Sequence, residues 1–156
     1  MSDDDVLLLV RHGIAEDHHP DGDFSRRLTS AGRAVLERHA RYLATRVRLT
    51  RVVASPAVRA RDSAEILAHA LGVKNVELRD ELGSSTVSAA AIIAVANEIG
   101  AGAALVSHNP ALTDAVTRIL GRQARVGFNP GTAVALARST GGGGWVLRFT
   151  HQPPPV

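Results

Sequence analysis

The residues best suited to chemistry lie in three short segments of similar design. Each segment is a run of aliphatic residues followed by basic or amide side chains. These side chains are Arg11, His12, Arg59, His108 and Asn109. Guanidinium groups bind phosphate oxygens in a bidentate manner, and a neutral imidazole is a nucleophile near pH 7. Two arginines and two histidines that converge on one pocket would therefore suit the transfer of a phosphoryl group.

The first pair is positioned by a predicted strand. Val6–Val10 is uniformly aliphatic, which is typical of a strand buried on both faces, and it ends at Arg11, His12 and Gly13. Open α/β sheets bind ligands just beyond the carboxyl ends of their strands. We expect Gly13 to permit a sharp turn of the backbone at this point.

The second segment predicts a strand that leads into a helix. The strand is Arg51–Ala54, with Ser55 as the helix N-cap and Pro56 at the first helical position. This register places Arg59 in the first helical turn, where free amide groups and the helix dipole favour an anion.

The third segment repeats this design after a strand that begins at Ala103. His108 follows the strand, Asn109 is the predicted N-cap and Pro110 opens the helix. Asn109 is also a candidate for binding the substrate. If the three strands are parallel neighbours, their carboxyl ends meet at one edge of the sheet. Arg11, His12, Arg59 and His108 then surround one anion site.

These motifs resemble a known family. Arg11-His12-Gly13, Ser55-Pro56-x-x-Arg59-Ala60 and Ser107-His108-Asn109-Pro110 are similar to the motifs of the histidine phosphatase superfamily, the phosphoglycerate mutase-like group. The compact chain, with no room for a cap domain, most resembles its SixA-type phosphohistidine phosphatase branch. The resemblance implies a phosphatase in which His12 becomes phosphorylated, Arg11 and Arg59 clamp the phosphate, and a protonated His108 stabilises the transition state. It implies neither a metal nor another cofactor, because arginines neutralise the phosphate.

Two further residues carry open alternatives. Asp23-x-x-Arg26-x-Leu28-Thr29-x-x-Gly32 resembles another family signature, with Arg27 in place of its usual proline. Arg26 is either a phosphate ligand or a surface arginine beside a helix cap. Glu81 is either the acid that protonates the leaving group, as a carboxylic acid does in ester-cleaving family members, or a solvated loop residue. An imidazole leaving group needs less protonation than an alkoxide, which favours P–N over P–O substrates.

The remaining patterns predict one three-layer α/β/α domain over residues 1–150 and a flexible tail over 151–156. Its sheet is mainly parallel, with an antiparallel C-terminal hairpin formed by Thr132–Ala137 and Trp145–Phe149. The connection across Thr140-Gly141-Gly142-Gly143-Gly144 is so short that only a hairpin fits it. Four helices are predicted between the strands. They span 29–47, with Thr29 as N-cap, 56–71, ended by Gly72, 88–99, and 110 to about 121.

Composition argues against several classes of partner. The net charge is +3, but the 18 basic residues, with Lys74 the one lysine, are interleaved with acids, and aromatic residues make up 3%. We therefore expect no nucleic-acid partner. No apolar run could span a membrane, and there is no cysteine. A cytoplasmic monomer is expected.

The predicted function is dephosphorylation of phosphohistidine on a protein through a phospho-His12 intermediate. The first alternative is a phosphomonoesterase that acts on a small phosphate ester such as a sugar phosphate or a nucleotide. The second is a non-catalytic module that binds phosphate or a phosphoprotein.

Overall fold

A computed structural model describes residues 4–83, 87–141 and 143–154. It contains one six-stranded sheet with helices on both faces. The strands are β1 Val6–Arg11, β2 Arg51–Ala54, β3 Val76–Leu78, β4 Ala103–Ser107, β5 Ala133–Arg138 and β6 Trp145–His151. The helices are α1 Ser30–Arg46, α2 Val58–Leu71, α3 Ala89–Ile99 and α4 Ala111–Leu120. Short 3-10 turns cover Asp23–Ser25, Asp80–Leu82 and Arg122–Ala124.

The strand order is β3-β2-β4-β1-β5-β6. The first four strands in this order are parallel, whereas β5 is antiparallel to β1 and β6 is antiparallel to β5. The predicted fold class, a mainly parallel sheet with an antiparallel C-terminal edge hairpin, is thus confirmed. The carboxyl ends of β1, β2 and β4 meet at one edge of the sheet, as the three motifs required.

The core consists of two apolar layers, one on each face of the sheet. Leu8 of β1 packs in the layer under α1 and α2, with Leu43 and Leu67. Leu9, its neighbour in the same strand, packs in the layer under α3 and α4, with Leu112. Because alternate residues of a strand face opposite sides, a strand buried on both faces must be aliphatic throughout. This is the physical basis of the uniform run at Val6–Val10.

Three local details differ from the sequence predictions. Helix α2 begins at Val58 instead of Pro56, with Ala57 in the N-cap position. Helix α4 begins at Ala111 instead of Pro110. The chain thus needs two further residues after β2, and one further residue after β4, to leave the strand before the helix begins.

The third difference is at the C-terminus, where β6 extends to His151, one residue into the predicted tail. The His151 Nδ1 lies 2.8 Å from the buried Nε2 of His39 in α1, and its ring stacks on Tyr42 at 4.1 Å between centroids. These contacts hold the end of the strand against the helical layer. The flexibility proposed for the residues after it stays a prediction.

Within the described residues, no helix is both long enough and apolar enough to cross a membrane.

Candidate active site

Three strand ends bring the predicted residues together. Arg11 pairs with Ser107 across β1 and β4, and the His12 N–H donates to the Ser107 carbonyl at 3.3 Å. On the other side of β4, the Ser55 N–H donates to the Val106 carbonyl at 3.0 Å. As a result the imidazoles of His12 and His108 lie 5.2 Å apart between ring centroids. The convergence inferred from the sequence is therefore present.

His12 is held as a neutral imidazole in one tautomer. Its Nδ1 lies 2.8 Å from the Gly13 carbonyl, which can only accept, so Nδ1 carries the proton and Nε2 keeps its lone pair. Burial, together with the smaller effect of the positive charges of Arg59, Arg11 and Arg26, lowers the pKa of His12 to about 4. At pH 7 the Nε2 atom is thus unprotonated, as the predicted role of nucleophile requires.

His108 is also neutral in the free protein. Burial, together with the smaller effects of His12 and Arg59, lowers its pKa to about 3. Its Nε2 lies 2.8 Å from the Ser55 hydroxyl, which also accepts the Ala57 N–H at 3.2 Å. Ser55 was predicted to cap α2, and it instead links His108 to the start of that helix. A bound phosphate dianion would raise the pKa of His108 again, as its predicted role in the transition state requires.

The two arginines have donors that no protein group satisfies. The Arg59 side chain is only 5% exposed. In Arg11, Nη1 donates to the Phe128 carbonyl at 3.0 Å. Four buried side-chain nitrogens of the described residues lack a hydrogen-bond partner. Three belong to this cluster, namely Arg11 Nε, Arg59 Nε and His108 Nδ1. Unsatisfied buried donors are costly, so their concentration here indicates a site that an anion completes.

Asp23 occupies part of that site. Arg59 Nη1 donates to the Asp23 backbone carbonyl at 2.9 Å, and Arg59 Nη2 contacts the Asp23 Oδ2 at 3.2 Å. Arg26 Nη1 donates to the other carboxylate oxygen, Oδ1, at 3.0 Å. Arg26 therefore belongs to the charged cluster, linked to Arg59 through Asp23, and its charge acts on His12.

Glu81 is engaged elsewhere. Its carboxylate accepts from Arg79 at 2.7 Å, and Arg79 also binds Glu98 in α3 at 2.6 Å. The hydrogen bonds from Arg79 lower the pKa of Glu81 to about 2. A general acid at neutral pH needs a raised pKa, whereas that of Glu81 is lowered. The structure places Glu81 in an ion pair with Arg79, and its role as proton donor stays a prediction beside its alternative, a solvated loop residue.

Asn109 has a supporting position. Its Nδ2 donates to the Phe128 carbonyl at 3.0 Å, while its Oδ1 accepts from the Thr113 N–H at 3.1 Å and the Thr113 hydroxyl at 3.0 Å. The Asn109 side chain thus caps α4 from the position before the N-cap, which is occupied by Pro110. Because its polar atoms already bind protein groups, direct substrate binding by Asn109 stays a prediction.

Two features of the site escaped the sequence patterns. The hydroxyl of Ser63 accepts the Gly13 N–H at 3.0 Å and donates to the Arg59 carbonyl at 2.7 Å, so it connects the His12 loop with α2. The sequence indicates this role of Ser63 only through its position four residues after Arg59, about one helical turn along α2. Gly13 itself does not have a positive φ. A Cβ there would lie 3.3 Å from the side chains of Leu28 and Leu36, so close that these side chains would have to shift.

No cluster of three or more histidines, cysteines or acidic residues suited to a metal ion occurs in the part of the chain that the structure describes.

A sequence profile decides the family. The profile of the histidine phosphatase superfamily (branch 1) matches residues 7–84, which include Arg11, His12 and Arg59. The chain belongs to the histidine phosphatase superfamily. The enzyme class predicted from the motifs, a phosphatase, is the class of this superfamily. No curated protein sequence matches the chain.

Solved structures of other phosphatases show the same fold. The protein histidine phosphatase SixA complexed with tungstate is 24% identical, with a TM-score of 0.77 over 95% of this chain and 97% of that one. A mycobacterial glucosyl-3-phosphoglycerate phosphatase is 18% identical, with a TM-score of 0.70 over 91% and 96%. A phosphoserine phosphatase from Entamoeba histolytica is 15% identical, with a TM-score of 0.68 over 94% and 96%. At these identities the likeness concerns the fold.

Proposed function

We propose that this histidine phosphatase hydrolyses phosphohistidine on a protein, with His12 as the nucleophile and without a metal ion. The observation that carries the proposal is that His12 is a neutral imidazole next to Arg11 and Arg59. Its neutral Nε2 is available for attack, while Arg11 and Arg59 supply positive charge to the oxygens of the transferred phosphoryl group. Charge stabilisation of this kind is the main requirement of phosphoryl transfer.

The reaction has two steps. Nε2 of His12 attacks phosphorus, the P–N bond of the substrate breaks, and its electron pair stays on the leaving imidazole, which takes a proton from solvent. Water then attacks phospho-His12, and its oxygen bonds to phosphorus. The second P–N bond breaks, its electron pair returns to Nε2 of His12, and inorganic phosphate leaves, with the protons of the water on the phosphate or in solvent.

The choice of substrate rests on the leaving group. Ester hydrolysis requires a positioned acid, which contributes about 10²–10⁴-fold to such rates. Glu81 is ion-paired with Arg79, and Asp23 accepts hydrogen bonds from two arginines, as an ionised carboxylate does. Both carboxylates are therefore engaged with arginines. A substrate with an imidazole leaving group, which departs more readily than an alkoxide, suits such a site better than an alkyl ester.

The fold also accommodates a phosphomonoesterase, because the mycobacterial structure with the same fold is described as a glucosyl-3-phosphoglycerate phosphatase. Turnover should be compared for a phosphohistidine protein, phosphoramidate, p-nitrophenyl phosphate and an alkyl phosphate. We expect P–N substrates to be cleaved fastest and the alkyl phosphate slowest. A preference for the alkyl ester would favour the monoesterase instead.

Adduct trapping tests the nucleophile separately. During turnover the wild-type protein should carry a phosphoryl group that is labile in acid and stable in base, and His12→Ala should carry none and lose turnover while it stays folded. Turnover that survives in His12→Ala would exclude His12 as the nucleophile. Phosphate binding without turnover of any substrate would favour a binding module.

A further inference from the structure

Asp23 contacts the anion site in a manner that mimics a ligand. Its carboxylate bridges two guanidinium groups, with Oδ2 on Arg59 and Oδ1 on Arg26, at 3.2 and 3.0 Å. A phosphate in the same place would bind these groups through two of its own oxygens. A buried guanidinium without an anionic partner is costly, and the carboxylate supplies that partner when no phosphate is bound.

We propose that Asp23 is an internal ligand of Arg59 that competes with phosphate and so sets the affinity of the site for anions. This inference rests on the proposed phosphoryl-transfer site. A substrate must displace the carboxylate, and free phosphate, which has fewer contacts with the protein than a phosphorylated substrate, is held weakly. Asp23 is thus a specificity-determining residue that limits inhibition by the inorganic product.

The surroundings of Asp23 allow this displacement. Its side chain is 57% exposed, whereas that of Arg59 is 5% exposed, so the carboxylate reaches the arginine from the solvent side. The Asp23 backbone carbonyl forms a separate hydrogen bond with Arg59 Nη1 at 2.9 Å. The carboxylate can therefore move away while the turn at Asp23–Ser25 keeps an anchor on α2.

The carboxylate leaves part of the site unsatisfied, which gives phosphate its advantage. Arg11 Nε, Arg59 Nε and His108 Nδ1 have no hydrogen-bond partner, although Asp23 is in place. A phosphoryl group carries more charge than a carboxylate and offers three equatorial oxygens instead of two. It can replace the contacts of Asp23 and add others.

Asp21 provides a matched control. It lies in the same loop, and its carboxylate contacts His19 at 3.8 Å, with the side chain 79% exposed. Asp21→Asn and Asp23→Asn remove the same charge from positions two residues apart. Only the second removes the anion that touches Arg59.

The experiment measures the binding of sulfate, which stays a dianion across the neutral pH range, by calorimetry at fixed ionic strength. Asp23→Asn should bind sulfate about 10-fold more tightly than the wild type, as expected when a unit charge a few ångströms away is removed. Asp21→Asn should change the affinity by less than about 2-fold, since exposed charges are screened by salt. Adding Arg59→Met to the Asp23→Asn protein should abolish the gain in sulfate affinity.

A sulfate affinity that is unchanged or weaker in a folded Asp23→Asn protein would overturn the proposal and show that Asp23 positions Arg59. A gain that persists with Arg59→Met would also overturn it. Asp23→Ser, which keeps the backbone carbonyl, serves the same comparison if the asparagine variant does not fold. Sulfate binding requires no turnover. The competition between Asp23 and an anion can therefore be detected even if the proposed phosphatase reaction is not, and the two proposals can fail separately.

Discussion

At the residue scale, the protonation of His12 follows from its neighbours. The Gly13 carbonyl selects the tautomer, while burial and three arginines disfavour the charged form. The same positive groups that would bind the phosphate thus keep the proposed nucleophile, His12, unprotonated before the substrate arrives. Once the Asp23 carboxylate has been displaced, preorganisation of this kind leaves little else around His12 to rearrange.

Glu81→Gln is the first test at this scale. We expect less than about a 2-fold change in kcat/KM on both a phosphohistidine protein and p-nitrophenyl phosphate, because the Glu81 carboxylate binds Arg79 and not the histidine pair. The check is to measure kcat/KM of the wild type and the variant on both substrates at the same pH, with one preparation of each protein. A loss of 10²-fold or more on the ester alone would restore Glu81 as the proton donor.

At the element scale, the N-terminus of α1 supports the loop that follows β1. The Thr29 N–H donates to the Ile14 carbonyl at 3.0 Å, and the Thr29 hydroxyl accepts the Gly32 N–H at 2.9 Å as the predicted N-cap. Gly32 faces this loop so closely that a Cβ would lie 2.4 Å from the Ile14 carbonyl oxygen. The helix can approach the His12 loop only because residue 32 has no side chain.

Gly32→Ala should therefore destabilise the protein by about 1–3 kcal/mol, the usual cost of overpacking a tight contact. It should also lower kcat, because the displaced backbone leads directly to Gly13 and His12. Urea unfolding and turnover of one P–N substrate measure the two effects.

Gly127→Ala is the control for this variant. Its Cβ would meet nothing within 4 Å, and its φ is not positive, so stability should change by less than about 0.5 kcal/mol. Equal stability of the two variants would mean that the helix and the loop can separate at little cost.

At the scale of the whole molecule, three buried histidines make the fold sensitive to acid. Burial lowers the pKa of His12 and His39 to about 4 and that of His108 to about 3. In the unfolded chain these groups have a pKa near 6.5. The unfolded state thus binds more protons below that pH, and the native state loses stability as the pH falls from 6.5 towards 4.

The free energy of unfolding should accordingly decrease on acidification from pH 7 to pH 4.5, before most carboxylates titrate. His12→Asn removes one of the three groups, so its decrease should be smaller than that of the wild type by about 1 kcal/mol per pH unit in this window. Urea unfolding of both proteins at several pH values gives the two slopes. Identical slopes would show that His12 titrates at its ordinary pKa in the native state.

The sequence by itself determined the framework and the identity of the central residues. Uniform aliphatic runs such as Val6–Val10 predict strands buried on both faces, and the cap at Thr29 marks the start of a helix. These signals depend on neighbours within a few residues. The convergence of His12 and His108 also follows, because parallel strands place their carboxyl ends at one edge.

Only the tertiary structure decided which charged groups meet around that edge. The contact of Asp23 with Arg59 spans 36 positions and that of Gly13 with Ser63 spans 50, while Glu81 turns to Arg79 two residues away. The side chains of loop residues are not constrained by strand or helix periodicity. Their partners depend on how the loops close over the sheet, and a pattern of spacings contains no information about that closure.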